Sequence, residues 1–195
     1  DIIKNATLKY RVLKEILGEM NHSIKWTLIY CNHQQIDETM KIINRMRIIT
    51  HRFTMDEGTK PNKKYNGLSE RDFILQKFAE GKYKILVAMK CLDEGVDIPP
   101  ARISILMASS GNPREYIQRI GRILRRYEDK REAIIYDIIV VPSFKELPFE
   151  LREVEWTIFK KELKRYEEIA KIAINSAEAL RFIFRIKNKL LEVIG

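Results

Sequence analysis

The chain has 195 residues, of which 45% are hydrophobic and 32% charged, and this composition excludes intrinsic disorder as its main state. No apolar run approaches the length of a membrane-spanning helix, and the first residues do not form a signal-peptide pattern. Lys and Arg number 36 against 27 Asp and Glu, and this surplus is compatible with a polyanionic partner or with a solvated basic surface.

Helical and strand patterns alternate along most of the chain, and this alternation predicts the fold class. Apolar spacing or capping signals predict helices over residues 1–20, 34–46, 69–80 and 112–126. Short β-rich apolar runs predict strands over residues 26–31, 48–53, 84–89, 102–108 and 133–141. Several of these strands are apolar on both faces, which requires helices on both sides of a parallel sheet. We therefore expect a doubly wound α/β domain with a mostly parallel sheet.

Turn and helix-capping residues occur between the predicted elements in the middle of the chain. Residues 55–67 contain Gly, Pro and several Lys, so they are predicted to form a basic surface loop. Ser69 and Asp72 form a predicted capping box at the start of the following helix, and Gly81 supplies its end.

The last part of the chain, from about residue 149 to 193, contains no strand signal and no internal Gly or Pro. Its apolar residues recur at spacings of three and four, which is typical of a helix with one buried face. A second apolar stripe widens this face in the last half. We therefore expect two packed helices that break near Asn175–Ser176.

Two segments carry residues suited to chemistry. Residues 87–99 (VAMKCLDEGVDIP) lie between two predicted strands, and ligands of open α/β sheets bind at the carboxyl ends of strands. Residues 116–126 (YIQRIGRILRR) crowd several Arg side chains onto one side of a predicted helix. Like charges at this spacing repel, whereas Arg binds phosphate well, so an anionic ligand is indicated. An acidic surface turn and a solvated basic face are the alternatives.

These two segments resemble motifs V and VI of superfamily 2 helicases, most closely those of the XPB-like and restriction-type DNA helicases. LDEGVDIP resembles motif V, and REYIQRIGRILRR resembles motif VI. Residues 27–35 (TLIYCNHQQ) are similar to motif IV, and the helix and strand before motif V are also similar. The resemblance covers residues 8–142. It implies a RecA-like fold for residues 22–145, after a linker helix over residues 1–21 and before an α-helical extension over residues 146–195.

The resemblance also implies a nucleotide site. In such motors ATP and Mg²⁺ lie between two RecA-like lobes, and the N-terminal lobe supplies the P-loop. Arg122 and Arg125 would be the arginine fingers that stabilise the transferring phosphoryl group. Gln118 and Arg119 would support them, and Gly95 and Asp97 would contact the ribose side of ATP.

A nucleic-acid contact is implied at the ends of the motif IV and motif V strands. The implied residues are Asn32, His33, Met89, Lys90 and Arg114. Many relatives carry Thr or Ser at the position of Met89, and a thioether cannot donate the hydrogen bond that a hydroxyl gives to phosphate. The Lys90 side chain or a backbone N–H is expected to substitute. The lysines of the basic loop would complete a groove that holds the phosphate backbone.

No P-loop sequence occurs in the chain. We therefore expect the C-terminal motor half of a longer ATP-dependent DNA helicase, inactive by itself, whose partners are DNA, an N-terminal lobe and a nuclease or repair protein. A binding module without motor activity and the translocase subunit of a restriction or repair nuclease are the alternatives. Cys31 and Cys91 form no CxxC pattern, which suits a reducing cytoplasm. We expect a prokaryotic, nucleoid-associated protein.

Overall fold

The computed structural model describes residues 7–89, 98, 100–108, 121, 125, 127, 129–142 and 148–194. These residues form five helices and five strands, apart from short 3₁₀ turns. The elements in chain order are α1 (Leu8–Met20), β1 (Thr27–Tyr30), α2 (Ile36–Arg45), β2 (Thr50–Phe53), α3 (Glu70–Ala79), β3 (Ile85–Ala88), β4 (Ile103–Leu106), β5 (Ile134–Asp137), α4 (Phe149–Ile172) and α5 (Ser176–Ile194).

The five described strands form one sheet in the order β2-β3-β1-β4-β5, and all four pairings are parallel. β1 lies in the centre, where Tyr30 is in register with Ala88 on one side and Leu106 on the other. All residues of β1 and β3 are buried. The sequence prediction of an apolar parallel sheet is therefore confirmed, because only covered strands can be apolar on both faces.

The helices before and after β1 pack on the central strands. Leu13 and Leu17 of α1 and Ile43 of α2 are almost fully buried. They share one core cluster with Ile29 of β1 and Val87 of β3. The helical residues among them belong to the apolar stripes that the sequence predicted. Burial of these stripes against the strands stabilises the packing of the helices on the sheet.

The caps of α3 agree with the sequence in most respects. The Ser69 hydroxyl accepts a hydrogen bond from the Asp72 backbone N–H (3.0 Å), as the capping box predicts. The reciprocal bond differs, because the Asp72 carboxylate accepts from the Ser69 hydroxyl (2.6 Å). Asp is one methylene shorter than the Glu usual at this position, which limits its reach back to the Ser69 backbone. Gly81 ends the helix region with a φ of +71°, a conformation that glycine adopts without strain.

Helices α4 and α5 form a second compact unit. The chain divides into a unit of residues 1–109 with 118–138, and a unit of residues 110–117 with 139–195. Within the second unit, Phe159 and Leu163 of α4 pack against Ile183 and Leu190 of α5. Helix α4 ends at Ile172 and α5 begins at Ser176, so the predicted break is confirmed.

Several predicted elements are shorter in the structure, and one falls almost wholly outside the described residues. The described strands have four residues each, because the predicted runs include flanking residues that leave the sheet. Helix α1 begins at Leu8 rather than at residue 1, and residues 1–6 lie outside the described residues. The predicted helix over residues 112–126 also lies almost wholly outside them. Among the helices that the structure describes, none has the length and apolar content that a membrane span requires.

Candidate nucleic-acid and nucleotide interface

The carboxyl ends of the parallel strands form one edge of the sheet, which we call the carboxyl edge. The last residues of adjacent strands are in register there, from Phe53 through Ala88, Tyr30 and Leu106 to Asp137. The chain keeps this register beyond the strands, since the backbone N–H groups of Met89 and Cys31 donate to the Phe53 and Ala88 carbonyls. Open α/β sheets bind ligands at this edge.

The turn after β1 holds the predicted residues Asn32 and His33. The Asn32 side-chain oxygen accepts from the Gln35 backbone N–H (3.0 Å), and the Gln35 side-chain oxygen accepts from the Asn32 backbone N–H (3.1 Å). This reciprocal pair fixes the turn that leads into α2. The His33 side chain is exposed and makes no hydrogen bond or ion pair with the described part of the chain. The turn therefore holds Asn32 locally and presents His33 outward.

Met89 follows β3, so it lies at the same edge, beside the β1 turn. Its side chain is partly buried and packs against the central core cluster. Its backbone N–H is already used by the Phe53 carbonyl (3.2 Å). Met89 thus offers neither a hydroxyl nor a free backbone donor to a phosphate. Lys90, whose side chain was expected to replace this contact, lies outside the described residues.

Two buried side chains converge at the end of β4, and neither was among the predicted site residues, although Gln35 closes the segment that resembles motif IV. The Lys9 ammonium donates to the Met107 carbonyl (2.7 Å), and the Gln35 amide donates to the same oxygen (3.2 Å). Lys9 is only 5% exposed and Gln35 1%. They fix the chain just before the segment that carries motif VI. Lys9 precedes Leu13 by four residues, so it lies on the same buried stripe of α1. This spacing is the feature of the sequence that could have indicated its burial.

The basic loop lies on the carboxyl edge as well, because it connects the end of β2 to the start of α3. At its beginning, the Glu57 carboxylate accepts from the Thr54 backbone N–H (2.7 Å), and the Arg71 guanidinium donates to the Thr54 carbonyl (3.3 Å). At its end, Glu70 accepts from the Tyr65 hydroxyl and the Gly58 backbone, and these bonds lower the pKa of Glu70. The loop is thus held at both ends.

Three lysines of this loop face solvent: Lys60, Lys63 and Lys64. Lys60 and Lys63 have no carboxylate partner among the described residues, whereas the charge of Lys64 helps to lower the pKa of Glu70. The Lys64 ammonium lies 5.0 Å from the centre of the Tyr65 ring. Three exposed ammonium groups on a fixed loop, of which only Lys64 interacts with a carboxylate of the described chain, favour a polyanion as ligand.

One cysteine at the same edge is inert in this environment. Cys31 is 1% exposed, and its sulfur lies 3.4 Å from the Thr39 hydroxyl. Burial raises the pKa of the Cys31 thiol to about 12. The thiol is therefore protonated at neutral pH and is not a nucleophile.

Most predicted nucleotide contacts lie outside the described residues. This applies to Gly95, Asp97, Gln118, Arg119 and Arg122, and the predicted nucleic-acid contacts Lys90 and Arg114 lie outside them as well. Arg125 is described and exposed, and its guanidinium chemistry fits a phosphate ligand. Among the described residues, no group of three His, Cys, Asp or Glu side chains could hold a metal ion.

Known proteins resemble this chain in sequence. The helicase conserved C-terminal domain matches residues 8–127. The "DNA 3'-5' translocase XPB2" of Sulfurisphaera tokodaii is 31% identical over 71% of this chain, and the "ATP-dependent RNA helicase dbp8" of Aspergillus oryzae is 32% identical over 58%. The chain spans only 28% and 24% of the length of these two relatives.

Solved structures resemble it in fold. The C-terminal part of the Fun30 ATPase domain superposes with a TM-score of 0.58, 20% identity and coverage of 80% of this chain and 54% of that chain. The C-terminal domain of the DEAD-box protein Dbp5 gives 0.54, 24% identity and coverage of 81% and 93%. These likenesses confirm the RecA-like α/β fold. Because the matching domain covers more than half of the chain, this protein belongs to the helicase conserved C-terminal domain family of superfamily 2, as its motifs predicted.

Proposed function

We propose that this chain is the C-terminal motor half of an ATP-dependent DNA helicase or translocase. The observation that carries the proposal is the shared carboxyl edge. The motif IV turn, Met89 before motif V and the basic loop all lie there, on adjacent parallel strands of a helicase-family domain. A motor that holds the phosphate backbone needs its contacts on one such edge. Residues 22–145 would form the motor lobe, after the linker helix and before the helical extension.

The nucleotide chemistry of this proposal belongs to motifs V and VI. Arg122 and Arg125 would stabilise the negative charge that develops on the phosphoryl group during ATP hydrolysis. Gln118 and Arg119 would support them, and Gly95 and Asp97 would bind the nucleoside. A P-loop lobe outside this chain would hold most of the ATP and its Mg²⁺. The chain alone is therefore expected not to hydrolyse ATP.

The nucleic-acid contact would involve the β1 turn, Lys90, Arg114 and the basic loop. In the turn, His33 has an exposed side chain, whereas Asn32 is held by Gln35. DNA is favoured over RNA by the LDEGVDIP form of motif V. Gln118 also favours DNA, because the resembling RNA helicases usually carry His there. XPB2 is named as a DNA translocase, but dbp8 is named as an RNA helicase, so both substrates belong in the test.

The deciding experiment measures ATP hydrolysis, with and without DNA, by this chain alone and by a polypeptide in which a P-loop lobe precedes it. We expect DNA-stimulated hydrolysis only when the lobe is present. Arg122→Ala should then lower kcat by about 10³-fold or more, because an arginine finger contributes at least that much. Arg131→Ala is the matched control, since Arg131 is exposed and lies outside motif VI. Hydrolysis by the chain alone that Arg122→Ala abolishes would contradict the proposal.

A binding module without motor activity is the second candidate, and the environment of Met89 favours it. The Met89 side chain packs on the core and its N–H is used in the sheet, so one phosphate contact of the relatives is missing. This candidate predicts DNA binding without ATP hydrolysis even when a P-loop lobe is joined to the chain. If hydrolysis does occur, ATP-driven movement without strand separation would indicate the translocase of a nuclease or repair assembly.

A further inference from the structure

A groove runs between the two helices of the second unit, outside the α/β unit. Its volume is about 390 Å³, within the range of about 300–1,000 Å³ that is typical of small-ligand sites. Leu180 and Ile183 of α5 are among its apolar lining residues. Phe184, Arg181 and Lys187 also line it. The groove thus combines an apolar base, an aromatic ring and cations.

The charges of α5 are unbalanced, unlike those of α4. Helix α4 carries six basic and six acidic residues, and pairs such as Lys171–Glu168 (2.8 Å) join them. Helix α5 carries four basic residues against two acidic ones. Arg181 and Lys187 make no hydrogen bond or ion pair with any residue that the structure describes. Two cations at a groove without a partner favour an anionic ligand.

Phe184 lies between these two cations in the sequence of α5 and lines the same groove. It is 62% exposed, although a phenyl side chain gains free energy when it is covered. Arg181, Phe184 and Lys187 are spaced three residues apart, so they lie along one side of α5. The order of side chains along this side of α5 is therefore cation, aromatic ring, cation.

We propose that this groove binds single-stranded nucleic acid, with a base stacked on Phe184 and the flanking phosphates held by Arg181 and Lys187. A nucleic-acid strand presents planar apolar bases between phosphates, and this alternation matches the line of side chains. Glu167 of α4 lies at the groove and can accept a hydrogen bond from an N–H group of the base, such as the imide N–H of thymine. This site needs neither ATP nor the α/β unit, so it goes beyond the motor function proposed above.

The experiment measures the affinity of the whole chain for a labelled oligothymidylate by fluorescence anisotropy. The test variant is Arg181→Gln with Lys187→Gln. The matched control is Arg185→Gln with Lys189→Gln, which removes the same charges from the same helix away from the groove. We expect the test variant to raise Kd about tenfold and the control to raise it less than about twofold, because phosphate contacts dominate such binding. Equal losses would indicate a diffuse charge effect and would overturn the proposal.

A second pair of variants separates stacking from general apolar contact. Phe184→Tyr keeps a ring that stacks on a base, whereas Phe184→Leu keeps apolar bulk without a ring. We expect Phe184→Tyr to bind like the unchanged chain and Phe184→Leu to bind at least about fivefold more weakly. Identical affinities of these two variants would contradict a stacking site. Because Phe184 is exposed, both variants should keep the unfolding midpoint of the unchanged chain.

Two further measurements distinguish this site from the other surfaces. The variants are repeated in a chain that also carries Lys60→Gln, Lys63→Gln and Lys64→Gln, and the groove effect should persist there. The effect should also persist if the ATPase test of the motor function fails. Binding of the chain to phosphatidylserine vesicles is measured in parallel. Loss of vesicle binding with unchanged oligothymidylate binding would show a membrane surface and overturn the proposal.

Discussion

Gln35 joins two parts of the carboxyl edge, the turn after β1 and the segment after β4, through one buried amide. Its oxygen accepts from the Asn32 backbone, and its nitrogen donates to the Met107 carbonyl. Gln35→Leu removes both bonds and leaves the Asn32 N–H without this acceptor. We expect a loss of about 1–3 kcal/mol in the free energy of unfolding, because buried polar groups that lose a partner keep their desolvation cost. Urea denaturation measures it.

The control for this prediction is a nearby residue. His33→Leu changes an exposed side chain on the same turn, one that makes no hydrogen bond or ion pair with the described residues, and should alter stability by less than about 0.5 kcal/mol. If both variants unfold at the same urea concentration, the amide of Gln35 does not have the structural role assigned to it.

The thiol of Cys31 predicts how stability depends on pH. Burial raises the pKa of this thiol to about 12 in the folded chain, whereas its ordinary value is 9.0. Between pH 9 and 12 the unfolded chain therefore loses the thiol proton while the folded chain keeps it. Proton loss from the unfolded state favours unfolding, so the stability contribution present below pH 9 declines as pH rises through this window.

The measurement is urea denaturation at several pH values in a chain that carries Cys91→Ser. Cys31→Ala should lower stability at pH 7 but flatten its decline above pH 9. Alkylation gives a second readout, since the native Cys31 thiol should resist iodoacetamide at pH 8 and react after unfolding. Rapid alkylation of the native chain would contradict the burial of this thiol.

The sequence allowed a role to be predicted for residues that belong to a recognisable motif. It did not do so for residues whose role depends only on their burial in the folded chain. Asn32, His33 and Met89 were predicted from motifs IV and V, and they lie together at the carboxyl edge, although their roles stay predictions. The burial of Lys9 was missed because a lysine on an amphipathic helix usually faces solvent. Its hydrogen bond to the Met107 carbonyl, 98 residues away along the chain, depends on tertiary packing that no local pattern contains.

At the scale of elements, the sequence predicted every strand that the structure describes and the break before α5. Strand ends were less predictable, because an apolar run such as residues 133–141 continues after its sheet partner ends. The sheet ends with Asp137, although the apolar residues go on to residue 141. A strand ends where its hydrogen-bonded neighbour ends. The apolar composition of one strand carries no information about the length of that neighbour, so the end cannot be predicted from it.

The turn after α3 gives a prediction at the same scale. Gly81 has a φ of +71°, and a Cβ there would lie 2.5 Å from Cε of Lys25. Gly67 has a φ of +82°, but a Cβ there would meet no atom within 4 Å. Gly67→Ala should therefore cost only the backbone strain of about 1–2 kcal/mol, and Gly81→Ala should cost more. Urea denaturation compares them, and an equal or smaller loss for Gly81→Ala would show that Lys25 moves away freely.

At the scale of the whole molecule, parallel topology explains why distant motifs meet. Each crossover helix returns the chain to the amino edge, so the end of every strand reaches the carboxyl edge. The alternation of strand and helix patterns in the sequence predicted that the strand ends would meet at one edge. It did not predict the strand order β2-β3-β1-β4-β5, because several orders satisfy the same pattern of buried strands. The order matters, since it makes β1 and β3 neighbours and sets the β1 turn beside Met89.

The position of cations on the two edges leads to a last prediction, on the salt dependence of DNA binding. Lys63 and Lys64 lie on the loop at the carboxyl edge. Arg45 and Arg47 lie at the opposite edge of the sheet, where the connection between α2 and β2 leads into the start of β2. All four side chains are exposed. If only the carboxyl edge of this unit holds phosphates, equal losses of charge at the two edges must have different effects.

Plots of log Kd against log salt concentration test this difference with single-stranded DNA. Each phosphate contact contributes about 0.7 to the slope, so Lys63→Gln with Lys64→Gln should lower it by about 1.4. Arg45→Gln with Arg47→Gln should leave the slope within about 0.3 of the unchanged chain. Equal slopes for both pairs would mean that DNA responds to the net charge of +9 and not to one edge. The comparison thereby separates a motor groove from a uniformly basic surface.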